Sequence, residues 1–134
     1  MTMGSLREFL PEMIELLNAA VLATKSLKLV KTATAALFNI SRLSLEESVG
    51  PGDDEIISVV VALVESLKTI LANGSERKEA ELERLLTVCL GGFILLGRDS
   101  EGLKEILAGI EASEVVKGVK GSVAEEVTSM IENL

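Results

Sequence analysis

The stretch AELERLLTVCLGGFILL, residues 80–96, decides the fold of this chain. Most of its apolar side chains recur at the spacing of one helical face over about three turns. These residues are Leu82, Leu85, Leu86, Cys89, Leu90, Phe93 and Ile94. The opposite face is also apolar after Glu83, because Val88, Leu95 and Leu96 lie there. Since a helix that is apolar on all sides must be buried on most of them, the rest of the chain has to supply helices that surround it.

The composition and the flanking segments predict these further helices. The 134 residues are rich in Leu, Ala, Glu and Lys and contain two prolines, which favours helix. Helices are expected over residues 27–45, 56–72, 100–108 and 113–117, with a last one that starts at Gly121-Ser122. The first helix has Ser5 as its cap and meets Pro11, so it either begins near Leu10 or kinks at the proline.

Residues 56–72 have two interpretations. They are rich in β-branched side chains, which locally favour a strand. We predict a helix because the apolar residues keep the helical period over seventeen residues without a break.

Long helices in pairs, repeating after about fifty residues, predict an all-α fold of the armadillo- or HEAT-like α-solenoid type with six to seven helices. The expected organisation is a single helical-repeat domain over residues 5–134, after a loose start at residues 1–4. A compact irregular helical bundle is the alternative.

The charge distribution limits the classes of partner. The net charge is −8, and all of it lies in residues 51–134, because residues 1–50 hold five basic and five acidic side chains. Such a chain is a poor ligand for nucleic acid and for anionic membranes, which attract Lys and Arg. No uncharged apolar run reaches the roughly 20 residues of a membrane span, and residues 1–10 lack the pattern of a secretory signal. We expect a cytoplasmic protein, with the nucleus as a second compartment.

No group of residues in the sequence suits catalysis or metal binding. The chain contains no His and one Cys, which excludes Ser–His and Cys–His nucleophile pairs and most zinc sites. Cys89 lies on the apolar face of the central helix and is expected to be a buried, unreactive thiol. Adjacent carboxylates such as Glu125 and Glu126 point apart on a helix and make poor acid–base pairs. We therefore expect no enzyme activity, no cofactor and no metal ion.

Three features of the predicted helices have a packing and a binding interpretation. Gly91-Gly92 lies inside the central helix, where glycines favour the close approach of a neighbouring helix. Asn39 either ties two helices together through buried hydrogen bonds or lies in a groove and binds a peptide backbone. Lys25, Lys28 and Lys31 form a short basic ridge, most simply a solvated face.

Two segments resemble a known family. TAALFNIS, residues 34–41, and LTVCLGGF, residues 86–93, are similar to an apolar-Asn-x-Ser helix and a later L-x-V-A-x-G-x-L helix of the PUL domain. This is the armadillo-like domain of phospholipase-activating protein and its fungal relatives. Residues 99–107 and the closing helix to Leu134 follow the same pattern. The resemblance covers residues 7–134 and corresponds to the C-terminal half of a PUL domain.

The resemblance implies a non-catalytic adaptor of the ubiquitin pathway that binds the acidic C-terminal tail of the AAA ATPase valosin-containing protein. In this family a basic groove receives the tail, and it includes an arginine just before the second motif. Arg84 lies one residue from the aligned position. The implied contact residues are Asn39, Arg84, Lys31 and Ser41. An ordinary ion pair with Glu81 or Glu83 is the alternative interpretation of Arg84.

A second function class needs no peptide groove. The shortage of polar positions on the helices suits a scaffold or dimerisation segment, whose apolar faces meet a second copy or further repeats. Some fungal proteins of the family carry the domain behind thioredoxin-like or desumoylating-peptidase-like domains, so such a segment would belong to a multidomain protein. Homo-oligomer formation is therefore the alternative to peptide binding.

Overall fold

The computed structural model describes residues 3–47, 50–72 and 80–134, and these ranges contain helices and no strand. The helices are α1 (Met3–Leu22), α2 (Leu27–Glu47), α3 (Asp53–Ala72), α4 (Ala80–Leu96), α5 (Glu101–Gly109), α6 (Ala112–Lys117) and α7 (Ser122–Glu132). The all-α prediction is confirmed. Residues 1 and 2 of the expected loose start lie outside the described ranges, and residues 3 and 4 belong to α1.

The helices pack in two layers, as in a helical-repeat stack. The first layer consists of α1, α3 and the α5–α6 pair, in which α3 packs against α1, α5 and α6. α1 also packs against α2, and α3 against α4, in the other layer. In the other layer, α4 lies between α2 and α7. The chain thus forms three successive hairpins: α1 with α2, α3 with α4, and the α5–α6 pair with α7. Because α2, α4 and α7 each come second in their hairpin, they run in the same direction within one layer.

α4 is the central helix, as its sequence predicts. Its side chains Cys89, Leu90 and Phe93 are fully buried, and it packs against α2, α3 and α7. Burial is incomplete on one face, where Leu95 is 41% exposed and Val88 is half-buried. This face lies on the outer side of the α2–α4–α7 layer, and no described helix covers it.

Gly91 and Gly92 allow α4 to approach the helices on both sides. A Cβ atom on Gly92 would lie 2.6 Å from Ser41 Oγ on α2, and one on Gly91 would lie 3.1 Å from Val127 Cγ2 on α7. The first distance is shorter than a van der Waals contact, so a larger residue at position 92 requires α2 or Ser41 to shift. The predicted close approach is confirmed.

Two helices form where the local sequence offers an alternative. α3 contains all of the β-branched segment, and its side chains Val59, Val60 and Leu67 are fully buried. Burial against α1 and α4 outweighs the local preference of these residues for a strand.

α1 continues through Pro11. Pro11 is exposed, and it removes one N–H donor from the helix.

The α5–α6 pair occupies one position of the first layer. The break between these helices falls at Glu111, whose φ of 53° lies in the left-handed region. Lys117, at the end of α6, binds Glu132 of α7 with 3.1 Å between Nζ and Oε1, and binds Glu114 at 3.4 Å. The hydrogen bond to Glu132 and the charge of Glu114 raise the pKa of Lys117. This ion pair joins α6 to the last helix.

Candidate functional site

The fold places the four predicted contact residues on two neighbouring helices. Lys31, Asn39 and Ser41 lie on α2, and Arg84 lies on α4. α2 and α4 pack against each other within one layer. Lys31, Asn39 and Arg84 are exposed, whereas Ser41 is buried. Three of the four side chains are therefore accessible to a partner.

Lys31 connects the first turns of α2 and α4. Its Nζ donates a hydrogen bond to Glu81 Oε1 at 3.1 Å, and the two side chains are 54% and 82% exposed. An exposed pair of this kind stabilises a fold by less than about 1 kcal/mol. The pair places the beginning of α2 beside the beginning of α4, and it partly neutralises the charge of Lys31.

Asn39 is exposed on α2. Of its two predicted roles, the buried tie between helices requires an amide enclosed by protein. The exposed position leaves the amide accessible to a peptide backbone, for which it has both donors and an acceptor.

Ser41 is 1% exposed and packs against α4. Its hydroxyl donates to the backbone carbonyl of Phe38 at 2.8 Å, and it lies next to Gly92. A partner docked on the surface would not reach this hydroxyl. The sequence predicts a partner contact at Ser41, whereas its buried position fits helix packing, because a small side chain is needed opposite Gly92.

Arg84 lines a cavity between α4 and the beginning of α7. The cavity has a volume of about 280 Å³, and Lys120, Thr87, Gly121 and Ser122 also line it. Both charged side chains of the lining are basic, and none of the described residues that line it is acidic. Arg84 and Lys120 are exposed, so their charges are available to a ligand.

The backbone adds to the positive potential of this cavity. Gly121 is the N-cap of α7 with φ of 124°, and it has no side chain to hydrogen-bond the first N–H groups of the helix. These N–H groups form the positive end of the helix dipole and favour a negatively charged group nearby. The cavity is thus a basic depression on a protein whose net charge is −8.

The predicted ion pair of Arg84 is not seen among residues 3–47, 50–72 and 80–134. Glu81 pairs with Lys31 instead, and no described acidic side chain lies within salt-bridge distance of Arg84. In this turn of α4, Glu81 is therefore paired with Lys31, whereas Arg84 is exposed.

Lys120 is the functional candidate that sequence reasoning did not identify. It lies in the loop before α7 and precedes Gly121-Ser122, a position where a basic residue adds to the helix N-terminus. That local signal is weak by itself. The association with Arg84, thirty-six positions earlier, arises from the packing of α7 on α4, which periodicity alone does not predict.

Cys89 has the properties of a core thiol. It is fully buried, and this burial raises the pKa of the Cys89 thiol. The thiolate is the reactive form of cysteine, so the predicted unreactive thiol fits the structure. In the part of the chain that the structure describes, no cluster of three or more His, Cys, Asp or Glu side chains is arranged to hold a metal ion.

None of the helices in the described ranges combines the length and the apolar character that crossing a membrane requires. Comparison of the chain with protein-family models, with curated proteins and with solved structures found no match.

Proposed function

We propose that this chain is a non-catalytic protein-binding module that receives an acidic peptide in the α2–α4–α7 layer. One observation carries the proposal: Arg84 and Lys120 line the same cavity at the beginning of α7, and no acidic side chain is among the described residues that line it. On a chain of net charge −8, two basic groups beside a helix N-terminus favour a carboxylate ligand.

The basic groups lie at one end of the layer. The ion pair between Lys31 and Glu81 places the start of α2 beside the start of α4. The cavity places Lys120 beside the first half of α4. A peptide that crosses the N-terminal ends of α2, α4 and α7 passes these three basic residues in turn, and Asn39 lies farther along α2.

The partner that we propose follows the resemblance to the PUL domain. It is the acidic C-terminal tail of the AAA ATPase valosin-containing protein, and the module acts as an adaptor in ubiquitin-dependent degradation in the cytoplasm and the nucleus. Lys31, Arg84 and Lys120 provide the charges for the carboxylates of the tail, and Asn39 binds its backbone. Since these charges are exposed, the affinity falls as salt is added.

The test is a titration of the full chain with a fluorescent peptide of this tail at two salt concentrations. Saturable binding that weakens at the higher salt concentration is expected. Alanine at Arg84 or at Lys120 should each weaken binding by about 1 to 2 kcal/mol, or roughly five- to thirtyfold.

Lys68→Ala is the matched control, because Lys68 is an exposed lysine on α3 in the other layer. It removes the same charge from the molecule without touching the cavity, so it should leave the affinity unchanged. Equal losses for Lys68→Ala and Lys120→Ala would assign the effect to net charge and remove the cavity from the proposal. Absence of binding at low salt would overturn it.

A second candidate function, a scaffold or dimerisation segment, is favoured by a different observation. Large apolar side chains stay exposed on the first hairpin. A surface of this kind suits contact with another protein chain.

A further inference from the structure

The exposed apolar side chains of this protein are concentrated on one hairpin. Seven large apolar residues in the described ranges keep more than a third of their surface exposed, and six of them belong to α1 and α2. They are Phe9, Leu16, Leu22, Leu29, Leu43 and Leu45, and the seventh is Leu95 on α4. Clusters of this kind on a soluble domain mark surfaces that contact another chain.

On α1, the exposed residues Phe9 and Leu16 lie on the flank that faces away from α3, whereas Leu22, four residues after Asn18, lies on the flank toward α3. Asn18 marks the flank toward α3, because its Nδ2 donates to Ser58 Oγ at 3.1 Å. Phe9, Met13 and Leu16 follow each other at spacings of four and three, which places them on one strip of the helix. The helical period puts this strip on the other side of the buried residues from Asn18.

On α2, a corresponding strip faces away from α4. Lys31 marks the flank toward α4 through its ion pair with Glu81. Leu29, Ala36 and Leu43 repeat at intervals of seven residues and lie on the opposite flank from Lys31. Leu29 is 45% exposed and Leu43 is 37% exposed.

Both strips therefore lie on the side of the first hairpin that faces away from the second hairpin. We call this surface the end face. It consists of Phe9, Met13 and Leu16 on α1 and Leu29, Ala36 and Leu43 on α2. α2 is about 30 Å long, and two packed helices are about 20 Å wide. The end face thus has an area of about 600 Å² per copy, close to the roughly 800 Å² that each partner contributes to a standard interface.

The charges of the hairpin are arranged so that two copies attract each other. The turn between α1 and α2 and the first part of α2 carry three lysines, Lys25, Lys28 and Lys31. The other end, formed by the first half of α1 and the second half of α2, carries four acids and two arginines. The hairpin has no net charge, whereas residues 51–134 hold the whole −8. Contact between two such hairpins therefore brings no net like charge together.

The strip on α2 is also symmetrical along its length. Ala36 lies midway between Leu29 and Leu43, and it lies one residue from the midpoint of Lys28 and Glu46, which are about 27 Å apart along the helix. An antiparallel arrangement of two α2 helices places Leu29 of each copy against Leu43 of the other. The same arrangement places Lys28 of each copy near Glu46 of the other. The small side chain of Ala36 allows close approach at the centre.

We infer that the end face binds a second copy of this chain, with the two α2 helices antiparallel across a two-fold axis near Ala36. The interface is isologous, since each copy contributes the same surface. It lies on the opposite flank of α2 from Lys31 and α4, so it leaves the cavity of Arg84 and Lys120 open. The inference is independent of peptide binding and is tested without peptide.

The first experiment is sedimentation of the full chain over a range of concentrations. The wild-type chain is expected to shift from monomer to dimer as its concentration rises. Leu29→Glu places a charge in the end face at an exposed position, so it should weaken dimerisation at least tenfold without unfolding the chain, which circular dichroism verifies. Leu95→Glu, at the exposed apolar residue outside the end face, should dimerise like the wild type.

Charge reversal then tests the antiparallel orientation. Lys28→Glu and Glu46→Lys should each weaken the dimer, and the double variant should restore it, because each new charge then faces its opposite. In a parallel dimer Lys28 would face Lys28 of the other copy, and the double variant would show no recovery. That outcome would overturn the antiparallel arrangement.

Cross-linking provides a readout of the axis itself. Ala36→Cys should form a disulfide-linked dimer under mild oxidation, since position 36 meets its own copy, while the buried Cys89 does not react. Leu95→Cys is the control for random collision. Equal yields for the two variants, or a wild-type chain that stays monomeric at every concentration, would overturn the proposal.

Discussion

At Gly92 a single hydrogen atom sets the distance between α2 and α4. The position of its missing Cβ is only 2.6 Å from Ser41 Oγ and 3.1 Å from Ser41 Cβ. Ser41 itself is fixed, because it is buried and its hydroxyl donates to the Phe38 carbonyl. Small residues on both helices are therefore needed for the close contact between α2 and α4.

Gly92→Ala should lower the free energy of unfolding by about 1 to 3 kcal/mol, because the added methyl group overpacks the contact with Ser41. The measurement is urea unfolding followed by circular dichroism. Combining it with Ser41→Gly should recover part of the loss, because that change removes both atoms that the methyl group meets.

Gly109→Ala is the control for helix propensity. A Cβ at Gly109 would meet no atom within 4 Å, so the substitution should be neutral or should stabilise by up to about 1 kcal/mol. If Gly92→Ala were equally harmless, the close approach of α2 and α4 would not depend on Gly92.

Two residues of α2 show that helical spacing alone does not predict which side of a helix faces the solvent. Asn39 and Ser41 were both predicted as partner contacts, yet one is exposed and the other is buried. Residues two positions apart on a helix differ by about 200° in direction, so one partner cannot contact both. The sequence leaves open which of the two faces the solvent, because α2 has small or apolar residues on both flanks.

The layer that contains α1 and α3 is interrupted between α5 and α6. α5 and α6 are separated by Glu111, a non-glycine residue with φ of 53°. Its side chain makes no capping hydrogen bond to α6. The two short helices thus depend on a backbone conformation that an L-amino acid adopts at a cost of about 1 to 2 kcal/mol.

Glu111→Gly should therefore stabilise the protein by roughly 0.5 to 1 kcal/mol. Glycine removes the cost of the left-handed conformation but increases the entropy of the unfolded chain, so the net gain is smaller than the strain. Thermal unfolding by calorimetry measures the change. Glu111→Ala removes the same carboxylate without the conformational freedom and should show no gain, and a gain of the same size would assign the effect to charge.

The helices themselves were largely predictable. Within the described ranges the central helix covers the predicted stretch 80–96, and α2 extends two residues beyond its predicted end. α3 begins at Asp53, so the three acids that precede the apolar run lie in its first turn, where they complement the helix dipole. For α1, the sequence allows a start near Leu10 or a kink at Pro11, and the helix begins before Leu10 and contains Pro11.

Because α4 is central, the Cys89 thiol becomes accessible to solvent only when the whole protein unfolds. α4 packs against helices of all three hairpins, and Cys89 is fully buried within it. Burial raises the pKa of the thiol above its usual 9.0. The folded protein keeps the proton at pH values where the unfolded chain releases it, so this stabilisation is present below about pH 9 and is lost as the pH rises further.

The free energy of unfolding should fall by about 1.4 kcal/mol more between pH 8 and pH 10 in the wild type than in a Cys89→Ala variant. The variant has a lower stability overall because it loses packing, but it lacks the titrating group. Urea titrations at several pH values compare the two slopes. Parallel curves would show that the thiol is accessible to ionisation in the folded state.

The candidate site is only partly predictable from the sequence, because it depends on which helices pack together. The resemblance predicts Arg84, whereas Lys120 lies beside it only because α7 packs on α4. Periodicity shows which side of a helix is buried and leaves open which helix covers it. The loop residue Lys120 has no periodic neighbours, so its place beside Arg84 depends entirely on the tertiary arrangement.

In the folded protein α4 covers one flank of α2, and α2 leaves the ribosome before this partner helix has been synthesised. A ribosome adds about 5 to 20 residues per second, so several seconds separate the emergence of α2 from that of α4. During this interval the nascent first hairpin presents the side that α3 and α4 later cover, together with its end face. Chaperones that recognise apolar segments have that window in which to bind, and neighbouring nascent chains on one messenger RNA have the same window in which to meet.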